Sequence, residues 1–236
     1  MSVFVIADLH LPFGDKSKTM EVFGGRWADY TEKIKQNWLE CVTENDTVIL
    51  AGDTSWGMEF DTALPDLEFL NNLPGKKILL EGNHDFWWNT VKKMNAFFEE
   101  NSLEFSVLRN NAYDMGDFIL CGSRGWYTDE KNIPESNADN KKIVNRENMR
   151  LRASLEEGRN LSPDKPIVAV LHFPPVYGTY LCEEITKTLA DFGVKLCFYG
   201  HIHGIHRSIP DTVHNGITYK MISADHLNFK PYKIIY

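Results

Sequence analysis

Cysteine is scarce in this 236-residue chain. The four present, Cys41, Cys121, Cys182 and Cys197, are scattered with no Cys-x-x-Cys pair. That excludes a disulfide framework or a cysteine zinc site and suits buried thiols in a reducing compartment. Basic charge is also short: 25 Lys and Arg stand against 33 Asp and Glu, a net charge of −8. A broad nucleic-acid surface needs the opposite balance. A small phosphorylated substrate stays open, because bound cations can supply a positive field. No apolar run reaches the length of a membrane span. The opening Met-Ser-Val-Phe-Val-Ile-Ala-Asp has neither the basic start nor the small-residue cleavage site of a signal peptide, so a cytoplasmic protein is expected. Repeats, low-complexity segments and clear domain boundaries are missing too, and the length suits one domain over residues 1–236 with a large core.

What is present is a series of short apolar runs that end in polar residues. The stretch from Lys77 to Asp85 shows it best: a β-compatible run stops at Gly82, then Asn83, His84 and Asp85 follow. Gly-Asn is good turn chemistry. Burying those polar groups without partners would cost several kcal/mol on the order of the penalty for unpaired polar atoms, so a ligand is the other reading. The run from Val3 to Ala7 ends in Asp8-Leu9-His10, and in an extended segment Asp8 and His10 project from one face. Thr47 to Ala51 ends in Gly52-Asp53, where glycine permits a sharp turn. Pro166 to Leu171 delivers His172, and Leu196 to Tyr199 delivers Gly200-His201-Ile202-His203-Gly204. If that last stretch is extended, both imidazoles share a face.

Between these runs lie helical patterns. Trp27, Tyr30, Ile34, Trp38 and Cys41 recur at three- and four-residue steps, and the bulky stripe reads as core. Phe60, Leu64, Leu67 and Leu70 mark a second helix over Met58 to Leu73, stopped by Pro74-Gly75. A third is expected from Phe86 to Phe98, and another through Val144, Asn148, Leu151 and Leu155. Strand–helix alternation of this kind predicts an α/β fold with a largely parallel first sheet, whose ligands bind at the carboxyl ends of the strands. Runs at 106–108 and 118–122 flank Asp114-Met115-Gly116-Asp117 and predict a hairpin that makes the sheet mixed. Residues 129–140 read as a surface loop, and the runs 217–222 and 232–236 as closing strands.

Five strand ends thus deliver Asp8, His10, Asp53, Asn83, His172, His201 and His203. Oxygen donors mixed with imidazoles suit two transition-metal ions of the Mn, Fe or Zn kind, whereas calcium would take oxygen alone. The ordered set Asp-x-His, Gly-Asn-His-Asp and Gly-His-x-His, with Gly-Asp and a lone His between, resembles the calcineurin-like metallophosphoesterase superfamily, from Asp8 to His203. Gly-Arg-Trp, Asn-His-Asp-Phe-Trp-Trp and Asn-Phe-Lys-Pro resemble a bacterial branch of predicted phosphohydrolases.

That resemblance implies a four-layer αββα sandwich of two mixed β-sheets flanked by helices. It implies Asp8, His10 and His203 at a first metal, Asn83, His172 and His201 at a second, and Asp53 bridging both. His84 would sit beside the scissile phosphate and Asp85 would orient it. Two cations roughly 3.5–4 Å apart would share a water, lower its pKa and let the resulting hydroxide attack phosphorus in line. The expected activity is hydrolysis of a small phosphate mono- or diester; other members of the superfamily suggest a protein phosphatase or a non-catalytic metal-binding scaffold as alternatives. Arg124 is the first choice to grip a phosphate oxygen, since a guanidinium forks onto such groups. Arg26 and His206 are weaker candidates, and His214 and His226 read as loop residues. Trp126 and Tyr127 could stack on a substrate ring or simply pack.

Overall fold

A computed structural model describes residues 1–127, 138–205 and 210–236 of the chain. Its elements in order are β1 (Val3–Ile6), α1 (Tyr30–Cys41), β2 (Thr47–Leu50), α2 (Phe60–Asn71), β3 (Lys76–Leu79), α3 (Val91–Glu100), β4 (Phe105–Val107), β5 (Ala112–Asp114) and β6 (Ile119–Ser123). They continue with α4 (Ala138–Leu161), β7 (Ile167–Leu171), β8 (Val176–Tyr177), β9 (Tyr180–Leu181), α5 (Glu183–Asp191), β10 (Leu196–Tyr199), β11 (Thr212–His214), β12 (Ile217–Met221) and β13 (Tyr232–Lys233). The described residues therefore form a mixed α/β structure with two large mixed sheets and five α-helices, in keeping with the expected fold class. The chain divides into two compact units with one large sheet each.

The first unit comprises the described residues of Met1–Val107, His201–Ser208 and Ile222–Ile235. Its sheet has the order β13-β1-β2-β3-β4, parallel throughout except for the antiparallel β13 at one edge. Strands β1 and β2 are buried along their whole length, which is why they read as unbroken apolar runs rather than alternating ones. One continuous core joins Phe4, Ile6, Val48, Leu50 and Leu79 to the helical stripe Tyr30, Ile34, Trp38, Leu67, Leu70, Met94 and Phe98. Trp38 satisfies its buried indole by donating to the Pro74 carbonyl (2.9 Å), so the ring fixes the turn that launches β3.

The second unit comprises the described residues of Leu108–Gly200 and Ile209–Met221, with Tyr236. Its sheet runs β11-β12-β10-β7-β6-β5, parallel in the middle and antiparallel at both edges. Every residue of the central β7 is fully buried. Helix α4 packs on β5 and β6. Gly158 allows the close approach, since a Cβ there would stand 2.6 Å from the Cys121 sulfur.

Several elements differ from the sequence expectation; α5, β8, β9 and β11 have no counterpart in it. The hairpin forms between β5 and β6, while β4 joins the first sheet beside β3. Strand β5 is only three residues long and half-exposed, so no apolar run announces it. Helix α3 starts at Val91, not Phe86: the Thr90 side chain caps it by accepting from the Lys93 amide, and residues 86–87 form a turn followed by irregular chain to Thr90. The expected surface loop lies mostly in 128–137, outside the described residues, as does His206. Cys121, Cys182 and Cys197 are buried thiols and Cys41 is half-buried; none forms a disulfide.

Candidate metal centre

The turns that follow β1 and β2 run side by side. Asp8 donates its amide to the Gly52 carbonyl, His10 to Asp53 and Leu11 to Thr54, at 2.9–3.0 Å. Main-chain pairing thus continues beyond the strands, where side chains can be spent on chemistry. The backbone there is not extended. Asp8, His10, Asp53 and His201 all have left-handed φ, at 61°, 46°, 52° and 71°. Convergence of Asp8 with His10 therefore comes from two tight reversals, not from the alternation of an extended strand. Such conformations are uncommon for residues with a side chain and cluster at functional sites.

Asp66 of α2, fully buried, braces both turns. Its carboxylate accepts from the Phe13 amide at 2.7 Å and from the Ser55 hydroxyl at 2.5 Å. Tyr30 of α1 donates to the His10 carbonyl at 2.6 Å. The aromatic stripe is core, as its spacing implies, and it also props a functional turn.

The exit of β3 brings Asn83, His84 and Asp85. Gly82 lies so close to the second turn that a Cβ would fall 2.2 Å from both the Asp53 amide nitrogen and Oδ1. Only glycine fits that approach. The Asp85 carboxylate accepts from the amides of Gly82 (2.8 Å), Asp53 (2.8 Å) and Thr54 (2.9 Å) and from the Trp87 indole (3.1 Å). These bonds hold the Asp53 turn. The Asp53 Oδ1 in turn accepts the His84 amide at 2.7 Å. The His84 ring lies against Trp56 (centroids 4.9 Å) and is set edge-on to His10 (5.6 Å).

After β10, His201 donates its amide to Asp8 Oδ2 (2.8 Å), and its Nδ1 lies 2.9 Å from Asn83 Oδ1. Ligand atoms of Asp8, His10 and His203 all lie within 4.8 Å of one another, and so do those of Asp53 and His201. His10 Nε2 stands 3.2 Å from His203 Nε2 and 3.7 Å from Asp53 Oδ2. Behind His203, Asp225 Oδ1 meets its Nδ1 at 3.1 Å, and Asp225 Oδ2 accepts the Gly204 amide at 2.9 Å.

Residues 1–204 match the family model for calcineurin-like phosphoesterase. The chain belongs to this family. The phosphopantetheinyl hydrolase PptH from Mycobacterium tuberculosis shares its fold with a TM-score of 0.58 at 16% identity, covering 99% of this chain and 95% of that one. A protein of unknown function from Aquifex aeolicus, AQ665, gives a TM-score of 0.53 at 16% identity, over 98% and 95% of the two chains. No curated protein matches the sequence.

Calcineurin-like phosphoesterases are metal-dependent hydrolases, and the donor set here fits that chemistry. Imidazole nitrogens face one another across a space also lined by carboxylates, an arrangement that a shared cation satisfies. Burial pushes the Asp8 carboxyl up to about 7, opposed by His203 and reinforced by Asp53. Asp53 is likewise raised by burial, against the pull of the His84 amide. Burial and the Asp53 charge lift Asp85 to about 7 despite its amide donors. Burial alone would depress the His203 imidazole, but Asp225, Asp8 and Asp53 outweigh it and raise its pKa. Buried acids crowded against one another in this way are what a divalent cation relieves. No helix among the described residues is long and apolar enough to cross a membrane.

The remaining candidates fall as follows. His172 is fully buried directly after β7 of the second unit, with its carbonyl accepting the Gly200 amide. Arg124 follows β6 in the same unit, its guanidinium over the rings of Trp126 (5.8 Å) and Phe173 (6.0 Å). Trp126 is itself tied down, donating to Asn140 Oδ1 at 2.8 Å. Arg26 donates from Nε to the Asp225 carbonyl (2.6 Å) and from Nη2 to Asn228 Oδ1 (2.7 Å). Asp225 belongs to no motif and does not directly follow an apolar strand run, so sequence reasoning misses it. Asp66 reads in sequence as part of the wet face of its helix with Glu59, Asp61 and Glu68, but it is fully buried because it turns inward to bond Phe13 and Ser55.

Proposed function

We propose that the protein is a dinuclear metal-dependent phosphoesterase that hydrolyses a small phosphate mono- or diester. The observation that carries this reading is the meeting of Asp8, His10 and His203 ligand atoms within 4.8 Å, beside the Asp53 carboxylate. Asp8, His10 and His203 would hold the first ion; Asn83, His172 and His201 would hold the second, with Asp53 shared between them. Mn, Fe and Zn all suit these donors. When bound, such ions polarise the phosphoryl oxygens and lower the pKa of water to the neutral range.

The chain's own residues do the rest. The Asp53 amide and side chain, clamped by Asp85 and Gly82, present the shared carboxylate in one orientation. Held through its amide to Asp53, His84 either protonates the departing alkoxide at its oxygen or stabilises the phosphate. Asp85 acts on His84 through the Asp53 turn rather than by a bond to the ring. Arg124 is the candidate to hold a non-bridging phosphate oxygen. The reaction needs no serine or cysteine nucleophile, so no covalent intermediate forms. The net charge of −8 favours a small soluble ester over nucleic acid.

Assay of p-nitrophenyl phosphate and bis-p-nitrophenyl phosphate with Mn²⁺, before and after chelation, tests the reading. Chelator-sensitive turnover of either ester is the expected result. Protein that carries two metal ions yet turns over no phosphate ester would instead be a scaffold.

A further inference from the structure

We infer that Asp225 is the positioning carboxylate of the first metal site: it fixes the ring and tautomer of His203, and Arg26 fixes Asp225. The inference rests on the metal-binding reading above. Asp225 is fully buried and lies in the turn between β12 and β13, far in sequence from every ligand. Its two oxygens engage His203 Nδ1 and the amide of the next residue, Gly204. That two-point hold stops the ring from swinging. An ionised carboxylate can only accept, so Nδ1 must carry the proton. Nε2 is then left with its lone pair, and Nε2 is the atom that faces His10 Nε2 at 3.2 Å and Asp8 Oδ1 at 3.9 Å. In the other tautomer an N–H would point into the space where the cation belongs.

The turn that carries Asp225 is itself under tension. Asn228 and Phe229 are both left-handed, at φ 53° and 61°, a rare state for an aromatic residue. Arg26 spans this turn, bonding the Asp225 carbonyl with one nitrogen and Asn228 Oδ1 with another. Phe229 is buried edge-on to Trp27, which in turn lies edge-on to His203. Gly24-Gly25-Arg26-Trp27 therefore acts as a buttress for His203. The outer partner of a metal-binding imidazole raises the ligand's basicity and holds its orientation.

Titration of Mn²⁺ followed by electron paramagnetic resonance, on the metal-stripped wild type and variants, tests this without reference to turnover. The wild type should take up two ions tightly. Asp225→Ala should bind one of them about 10–100-fold more weakly, the cost expected for losing an outer-shell partner. Asp225→Asn, whose amide oxygen still accepts from Nδ1, should lose less. At a pH where the metal-free ring is neutral, nitrogen NMR should show His203 in the Nδ1–H form in the wild type and a changed tautomer balance in Asp225→Ala. Wild-type affinity at both sites in Asp225→Ala would overturn the role of Asp225 and leave the metal centre standing. A wild type that binds no Mn²⁺ would overturn both. If Asp225→Ala does not fold, Arg26→Ala carries the test: weaker Mn²⁺ at one site upholds the chain of support, and unchanged binding refutes it.

Discussion

The two units are built from the same parts and used differently. Each has a mixed sheet with parallel strands at its centre and helices packed on it. In the second unit the left-handed residues other than glycine, among those described, are Asn110 and Asn215, a type that tolerates this backbone in turns. In the first unit they include Asp8, His10, Asp53 and His201. The contrast shows where conformational strain has been placed. A sheet supplies rigidity at either location, but the first unit spends that rigidity on bending ligand side chains towards one point. Its Asp8, Asp53, Asp66 and Asp85 carboxyls are buried and raised in pKa for that reason, whereas Asp114 of the second unit is exposed and lowered by its bonds to Lys165 and the Gly116 amide.

Changes at the loaded turns should therefore be far more damaging than equal changes elsewhere. Asp53→Asn should reduce turnover by at least about 10²–10³-fold, as for loss of a principal charge-stabilising group, with circular dichroism unchanged. Retained turnover would remove Asp53 from its shared role. His84→Ala should slow hydrolysis roughly 10²–10⁴-fold while metal content, measured by atomic absorption, stays near that of the wild type. Metal loss with normal chemistry in the remaining holoenzyme would reverse that assignment. His172→Ala asks whether the second unit contributes to the centre: the expected result is loss of one metal equivalent, and full metal content would confine the ligands to the first unit.

Stability provides a finer comparison. Gly82→Ala should destabilise the protein by about 1–3 kcal/mol in urea unfolding, the usual cost of overpacking, because the new methyl meets Asp53. Gly116→Ala in the β5–β6 turn has open space around its Cβ, so its cost comes from its φ of +92° alone and should be the smaller of the two. The most gradual effect expected is a pH dependence at Asp66, spread over several pH units. Burial raises its carboxyl from 3.8 to about 7, opposed by its bonds to Ser55, Phe13 and Gly14. A raised acid binds its proton more tightly in the folded state, so its contribution is full below 3.8, is lost as pH climbs towards about 7, and is level above that. In metal-free protein, Asp66→Asn should flatten that part of the stability profile; an unchanged slope would assign it to other acids.

Much of this was legible along the chain because buried parallel strands leave an unmistakable signature. The runs 3–7, 48–51, 78–80, 166–171 and 196–199 are apolar throughout, and the polar residues that follow them stand out. Helices α1 and α2 were legible from their stripes. Strand β5 was not, because three half-exposed residues carry no pattern, and α3 began late because Thr90, not an apolar residue, sets its start. Arg26 could be noticed as a basic residue beside two glycines, but its partners lie about two hundred positions away.

Sequence alone determined which side chains are available for metal chemistry, since residue type and place after a strand fix donor identity. It also determined the fold class, because hydrophobic period follows from which faces are buried. Only the tertiary structure decided how those donors meet: the left-handed turns at Asp8, His10, Asp53 and His201, the cradle around Asp85, and the Asp225–His203 pair. Their geometry depends on contacts between residues distant in the chain, and no local preference of the backbone encodes such contacts.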